Sequence, residues 1–349
     1  MKFSLGLIGL PNAGKSTLFN ALMQRQLALT APRAFSTIEP LPGTVDLPDP
    51  FLPQLQEVAA SARCTAAQLQ VIDLAGLVEG AHQGQGLGNQ FLARIREVKA
   101  LLHLLRCFPL QRGEKVNPRR AYEIVRRELQ EADRMTLLRQ EAKLKGKGDK
   151  KKILLRETVL GAEKILAAGE ELRIHLKDEE KELLRPLNLL TLKPELVVFN
   201  IQEQQQGDDF IAAAAIEGTS LAINAREEEE LASLPPTEAA QWRQEFNLGP
   251  SALEQLLEAA RQFLQLIIFY TVNKNESRAW LAQAGISAAA AAAKVHSQME
   301  KGFIKAWVCP ASRWLENGGW EKAMARGQVR FVGRDYVVQN YDLLQFHFR

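Results

Sequence analysis

The sequence is short of cysteine, of long apolar runs and of net charge, and each shortage excludes something. Cys64, Cys107 and Cys309 are an odd set of thiols with no C-x-x-C pairing. That fits neither a disulfide framework nor a zinc site, and it implies a reducing, cytoplasmic setting. The apolar start FSLGLIGL is too short for a signal peptide and runs straight into Pro-Asn-Ala-Gly-Lys. No stretch reaches the roughly 18 apolar residues of a membrane helix, so no membrane partner is expected. A formal net charge of +3 leaves attraction to nucleic acid to local patches, and nothing points to DNA sequence recognition. At 349 residues the chain exceeds one hydrophobic core, which predicts two or three domains.

What the chain does have begins with GLPNAGKST at 9–17. Gly9, Gly14, Lys15 and Ser16 form G-x-x-x-x-G-K-S between an apolar run that predicts a strand over 2–8 and a segment, TLFNALMQ, that predicts a helix. Glycines let backbone N–H groups approach phosphates, and the helix N-terminus adds the positive end of its dipole. Ala13, Gly14 and Thr17 belong to this cradle. Lys15 is expected to reach the β and γ phosphates and Ser16 to ligate Mg2+. Asn12 reads equally as a holder of K+ beside the phosphates or as a shaper of the turn.

Asp73 closes a second predicted strand in Asp-Leu-Ala-Gly, the place from which a carboxylate holds the Mg2+ shell and the Gly76 N–H meets the γ phosphate. Thr37, in AFSTIEP, is the candidate switch threonine over Mg2+. Leu77 stands where many GTPases carry a water-orienting glutamine. Hydrolysis is therefore expected to be slow and to use another group, a bound ion or a partner. His82 and His103 are the nearby basic candidates. His103 lies in a buried-strand pattern and reads as a satisfied core histidine before it reads as a base; the role of His82 stays open.

The base should be read after a later strand, ELVVF, which leads into Asn200-Ile201-Gln202-Glu203. Guanine-specific P-loop proteins carry Asn-Lys-x-Asp here, with the aspartate accepting from two guanine N–H groups. Without the lysine, and with an acid one methylene longer, the guanine anchor is weakened and ATP is favoured.

Apolar runs at 2–8, 69–76, 100–108 and 195–203, separated by helical stretches, predict a parallel α/β sheet. From 119 to 190 the pattern becomes rich in Leu, Glu, Lys and Arg at heptad-like spacing, in two arms broken by KGKGDKKK. That predicts an inserted antiparallel helical hairpin whose tip carries Lys143, Lys145, Lys147, Lys150, Lys151 and Lys152. Short strands from 265 onward predict a small α+β domain, within which ISAAAAAAK reads as helix or as poorly ordered loop. The expected domains are 1–118 with 191–264, 119–190, and 265–349.

Together these residues resemble the YchF-type Obg-like ATPases, a branch of the Obg family of P-loop proteins. The resemblance runs over nearly the whole chain, through GLPNAGKSTLFNAL, STIEP, DLAGLVEGAHQGQGLGNQFLARIRE, HLLRCF, N-x-x-E, TVNKNESRAW, VHSQMEKGFIKAWV and YVVQNYDLLQFHFR. It implies a nucleotide-binding domain with an inserted hairpin, a C-terminal TGS domain of ubiquitin-like fold, ATP in preference to GTP, and association with ribosomes. It also implies that Asn200 contacts adenine and that Glu203 and Ala225 lie near the base. The chain departs from the family at Ser36, where a cysteine is usual, at Asn224-Ala225-Arg226 in place of Ser-Ala-Lys, and at Ala288 to Ala293.

A ribosome or ribosomal subunit is the expected partner, with RNA contact through the tip from Lys143 to Lys152 as a salt-sensitive addition. No aromatic residues are interleaved at that tip, so base stacking is not expected there. The leading reading is an ATP-driven switch. An Obg-class GTPase and a scaffold merely stabilised by nucleotide are the alternatives.

Overall fold

The computed structural model describes residues 3–29, 43–74, 87–145, 149–203 and 207–349. The chain divides into two units, residues 1–43 with 70–253 and residues 44–69 with 254–349. Its first seven strands are β1 (Ser4–Ile8), β2 (Gly43–Asp46), β3 (Arg63–Thr65), β4 (Gln68–Asp73), β5 (Ala100–Arg106), β6 (Glu195–Asn200) and β7 (Ser220–Ile223). β1 and β6 are buried at every residue, as strands covered on both faces must be. The first sheet runs β2-β4-β1-β5-β6-β7. β1 pairs in parallel with β4 and β5, β5 with β6, and β6 with β7. Parallel pairing brings the carboxyl ends of these strands to one edge, where open α/β sheets bind ligands.

The predicted hairpin is formed by Pro118–Leu144 and Lys150–Ala167. Its first arm starts on Asn117, whose side chain accepts from the Arg120 N–H at 2.9 Å, with proline in the first turn. Val125 and Leu129 at its root pack with Ile95 and Leu101 of the sheet domain. Farther out, Leu137, Val159 and Leu166 build a core of their own with Leu172 and Leu184 from the returning chain. Apolar burial joins the arms, and the Arg134–Glu163 and Arg156–Glu141 ion pairs add to it at the surface.

The second unit contains β8 (Leu266–Val272), β9 (Glu276–Gln283), β10 (Phe303–Pro310), β11 (Arg330–Val332) and β12 (Asp342–Phe348). Its sheet runs β11-β10-β12-β8-β9-β3. β8 with β9 and β10 with β12 are antiparallel, whereas β12 meets β8 in parallel. The alanine tract is a helix, Ala288–Val295, capped by Ser287, whose hydroxyl accepts from the Ala290 N–H at 3.3 Å. Ala288, Ala291 and Ala292 are fully buried in one cluster with Phe269, Val308 and Leu344. Small side chains let this helix backbone lie close to the sheet, so helix prevails over loop.

Two boundaries differ from the sequence reading. Residues 254–264, expected in the nucleotide-binding domain, group with the C-terminal unit, and so do residues 44–69. β3 pairs in parallel with β9, and Ser61 Oγ lies 2.9 Å from Ser277 Oγ and donates to the Asn273 carbonyl at 2.5 Å. Strand pairing across about two hundred residues of sequence leaves no local signal. No helix among the described residues is long and apolar enough to cross a membrane.

Candidate functional site

The glycine loop follows β1, and the helix Lys15–Leu29 follows the loop. Gly9 has φ +148°, and a Cβ there would stand 2.4 Å from the Leu104 carbonyl oxygen. Gly14 has φ +93°, and its Cβ would meet Asn200 Nδ2 at 2.1 Å. Neither position tolerates a side chain. Asn12 adopts φ 62°, the left-handed region that asparagine accepts. That conformation accounts for an asparagine here without an ion.

Lys15 is buried, and its ammonium donates to the Leu10 carbonyl at 2.9 Å and the Gly9 carbonyl at 3.2 Å. Ser16 Oγ donates to Asp73 Oδ2 at 3.1 Å. The register Leu7↔Asp73 between β1 and β4 creates this meeting. Burial pulls the Lys15 ammonium below its ordinary value, against the attraction of Asp73. Burial likewise pushes the Asp73 carboxyl up, against the Ser16 hydrogen bond and the Lys15 charge. Both groups are charges that burial leaves short of compensation, Lys15 calling for an anion and Asp73 for a cation.

Asn200 ends β6, and its side chain joins two loops. Nδ2 donates to the Ala13 carbonyl at 2.9 Å, and Oδ1 accepts from the Ala225 N–H at 3.1 Å. With these two bonds Asn200 holds the phosphate loop against the 224–225 turn, and its second N–H and second lone pair stay available to a base. Beside it opens a cavity of about 780 Å³ lined by Gly14, Thr17, Phe108, Asn200, Asn224 and Glu227, among others. Glu203 is exposed and lies outside that lining. Asn224 caps the helix Ala225–Ala232, accepting from the Glu227 N–H at 3.2 Å, and its Nδ2 donates to the Gln202 carbonyl at 2.9 Å. The Asn-Ala-Arg departure thus supplies a helix cap at the wall of the cavity.

The structure brings Ala13, Gly14, Lys15, Ser16, Thr17, Asp73, Asn200 and Ala225 to the carboxyl edge of one sheet. His103 is not among them. It is fully buried, its Nδ1 is 2.8 Å from Glu195 Oε1, and its ring stacks on Tyr122 of the hairpin at 5.2 Å. As a catalytic candidate it is corrected to a core histidine, because its partner is a structural carboxylate. Thr37, Gly76, Leu77 and His82 lie outside the described residues.

Sequence reasoning missed what surrounds His103. Glu195 also accepts from Arg126 Nη1 at 3.1 Å and from Arg173 Nη2 at 2.8 Å. Arg126 in turn pairs with Glu171. Burial opposes the Glu195 charge, yet His103, Arg126 and Arg173 hold its carboxyl well below the usual range. The available signal was an acid opening a wholly apolar strand. Phe108 and Glu227, at the cavity wall, were missed as well.

Comparisons with known proteins place this geometry. The chain is 37% identical to the ribosome-binding ATPase YchF of Escherichia coli O157:H7, over 100% of this chain and 99% of the relative. The chain belongs to the YchF family. The Bacillus subtilis ribosome-binding ATPase YchF is 34% identical, with 100% of both chains covered. The solved YchF GTPase of Schizosaccharomyces pombe superposes with a TM-score of 0.87 at 26% identity, covering 99% of this chain and 98% of the other. Residues 4–155 match a family described as 50S ribosome-binding GTPase, and residues 266–349 match the YchF GTPase C-terminal family, described as of unknown function.

Proposed function

We propose that this chain is a ribosome-binding ATPase that acts as a slow cytoplasmic switch. The observation that carries the reading is the Ser16 hydroxyl 3.1 Å from the Asp73 carboxylate, at a glycine loop closed by a buried lysine. The loop N–H groups and the helix N-terminus hold the phosphates, and Lys15 compensates their charge. Two hard oxygen donors side by side fit Mg2+, which Ser16 would ligate directly and Asp73 through its shell. When bound, that ion neutralises charge between the β and γ phosphates.

Asn200 and Asn224 hold the base cavity open, and the N-x-x-E ending in Glu203 supports ATP over GTP. Leu77 supports slow turnover, with water positioned by a partner or a backbone group. Thr37 and the segment from Gly76 are the elements that ATP would order, and the C-terminal unit is read as a TGS domain. The lysines from Lys143 to Lys152 offer ribosomal RNA a purely electrostatic contact. Exchanging K+ for Na+ during turnover tests a monovalent ion beside Asn12.

Calorimetry with ATP and with GTP, each with Mg2+, decides the nucleotide. ATP is expected to bind at least about tenfold tighter, a difference of about 1.4 kcal/mol. Lys15→Ala should remove detectable binding of both. Gly14→Ala should do the same, because its Cβ would displace the Asn200 amide from the loop. Glu203→Asp, at an exposed position that tolerates the change, should move preference toward GTP. Cosedimentation with ribosomes, with and without nucleotide, tests the partner. The family description of residues 4–155 as a GTPase favours a second reading, which tighter GTP binding by the wild type would establish.

A further inference from the structure

The helix Pro236–Glu245 follows the helix Ala225–Ala232 in the first unit and buries none of its own residues. Arg243 ties it down: Nη2 donates to both oxygens of the buried Glu228 carboxylate, at 2.9 and 2.8 Å. Helical spacing puts Glu238, Trp242 and Glu245 on one stripe, at i, i+4 and i+7, with Phe246 one turn beyond Trp242. Arg243 lies off that stripe. Trp242 is 47% exposed and Phe246 55%, and the two rings stack on each other at 4.9 Å and 15°. Stacking hides only part of either ring, and an open pair of large rings on a helix that buries nothing is far from their usual place.

The charge left beside the rings is of one sign. Residues 226–246 hold six acids and two arginines, in a chain whose formal net charge is +3. Both arginines are spent, Arg243 on Glu228 and Arg226 on Glu230 at 3.1 Å. Glu238 and Glu245, the acids of the stripe itself, are exposed and have no basic partner among the described residues. They stand on either side of Trp242, about 10 Å apart along the helix axis. The stripe therefore presents two stacked rings between two free carboxylates.

We propose that this stripe is a docking face for an arginine-rich, extended segment of a protein partner. One guanidinium lies over the Trp242 and Phe246 rings, and others meet Glu238 and Glu245. A guanidinium is planar, stacks on aromatic faces and pairs with carboxylates, so one residue type satisfies both parts of the stripe. The distance between the carboxylates exceeds the reach of one cation, so the segment needs several arginines. A nucleic acid would set its phosphates against these acids, and a second copy meeting this face with its own would oppose like charges. The face does not depend on nucleotide binding or hydrolysis.

The test uses the full chain and a fluorescent peptide of about 12 residues, half of them arginine and the rest glycine and serine, read by anisotropy at about 50 mM salt. A control peptide carries glutamine in place of every arginine. Trp242→Ala is expected to weaken binding of the arginine peptide about fivefold, and Trp242→Phe to keep it within about twofold of the wild type. Glu238→Gln with Glu245→Gln should weaken it severalfold and reduce its dependence on salt. All three side chains are exposed, so these variants should melt like the wild type and bind ATP with unchanged affinity, which separates a failed dock from a damaged domain. Wild-type affinity in Trp242→Ala overturns the proposal, as does equal binding of the glutamine peptide or the absence of binding by the wild type. Sedimentation reads self-association: a dimer lost in Trp242→Ala, with peptide binding intact, makes the face a contact between copies and overturns it. Loss of RNA binding in that variant, with peptide binding intact, overturns it as well.

Discussion

The hairpin and the helices at 225–246 are both rich in charge, but they use it differently. In the hairpin several arginines are spent on acids of the same chain, while the lysines toward its tip, Lys145 apart, are not. Arg134 meets Glu131 at 2.8 Å and Glu163 at 3.4 Å, and Arg156 and Lys145 share Glu141. At its foot Arg126 and Arg173 are bound to Glu195. Around Trp242, by contrast, both arginines are spent, and it is acids that are left over with aromatic rings open beside them. Whether a charged region attracts a partner of opposite sign depends on which charges are already paired, and composition does not report pairing.

The foot of the hairpin should break first. Glu195→Gln removes the negative charge and one of the two acceptor oxygens that face a buried histidine and two arginines, and breaking such a buried pair costs about 3–5 kcal/mol. Urea unfolding measures it. The pH dependence carries a sign: the folded pKa of Glu195 lies below its ordinary 4.5, so the folded state binds fewer protons there than the unfolded chain. The stability it contributes is complete above that value and is lost as pH falls from there through the lower folded pKa. In Glu195→Gln this acid-side loss should flatten. An unchanged acid limb would show that the network does not hold the hairpin to the sheet.

The second prediction concerns the sheet of the other unit. Ala291 is fully buried, so Ala291→Leu should overpack the contact between helix and sheet and cost about 1–3 kcal/mol. Ala293, partly exposed on the same helix, should accept leucine at under about 0.5 kcal/mol. Thermal melts of the pair check whether the tract is a packed helix or, as sequence alone also allowed, a replaceable linker.

These two cases mark how far the sequence could be read. The phosphate loop was legible because its chemistry needs residues that are neighbours in the chain: Gly9, Gly14, Lys15 and Ser16 are fixed by one turn. The apolar strands and both hairpin arms were legible because their periodicity is local. The alanine tract fits two states equally well until Phe269 and Leu344 are seen packed against it. The Glu195 network was not legible, because its members come from β5, β6 and the hairpin and meet only through packing. The pairing of β3 with β9 failed to show for the same reason. Asn200 was recognised as part of the site, but its partners, Ala13 and Ala225, could be assigned only from the geometry.

The smallest effect separates the two charged regions most sharply. Lys150, Lys151 and Lys152 occupy the first turn of the second hairpin arm, where the helix dipole already presents positive charge, and Asp149 caps that turn by accepting from the Lys152 N–H. Lys150→Glu with Lys151→Glu should therefore raise stability by about 0.3–1 kcal/mol for each change. If the tip touches RNA at all, it does so through charge alone, so the same variant should bind RNA more weakly at about 50 mM salt and like the wild type near about 200 mM. The ratio of arginine-peptide affinities between the wild type and Trp242→Ala should persist at both, since a guanidinium resting on a ring face lies well within one Debye length. A ratio that falls away as salt is raised would mean that both regions act through charge alone, and the exposed rings at Trp242 and Phe246 would then need another explanation.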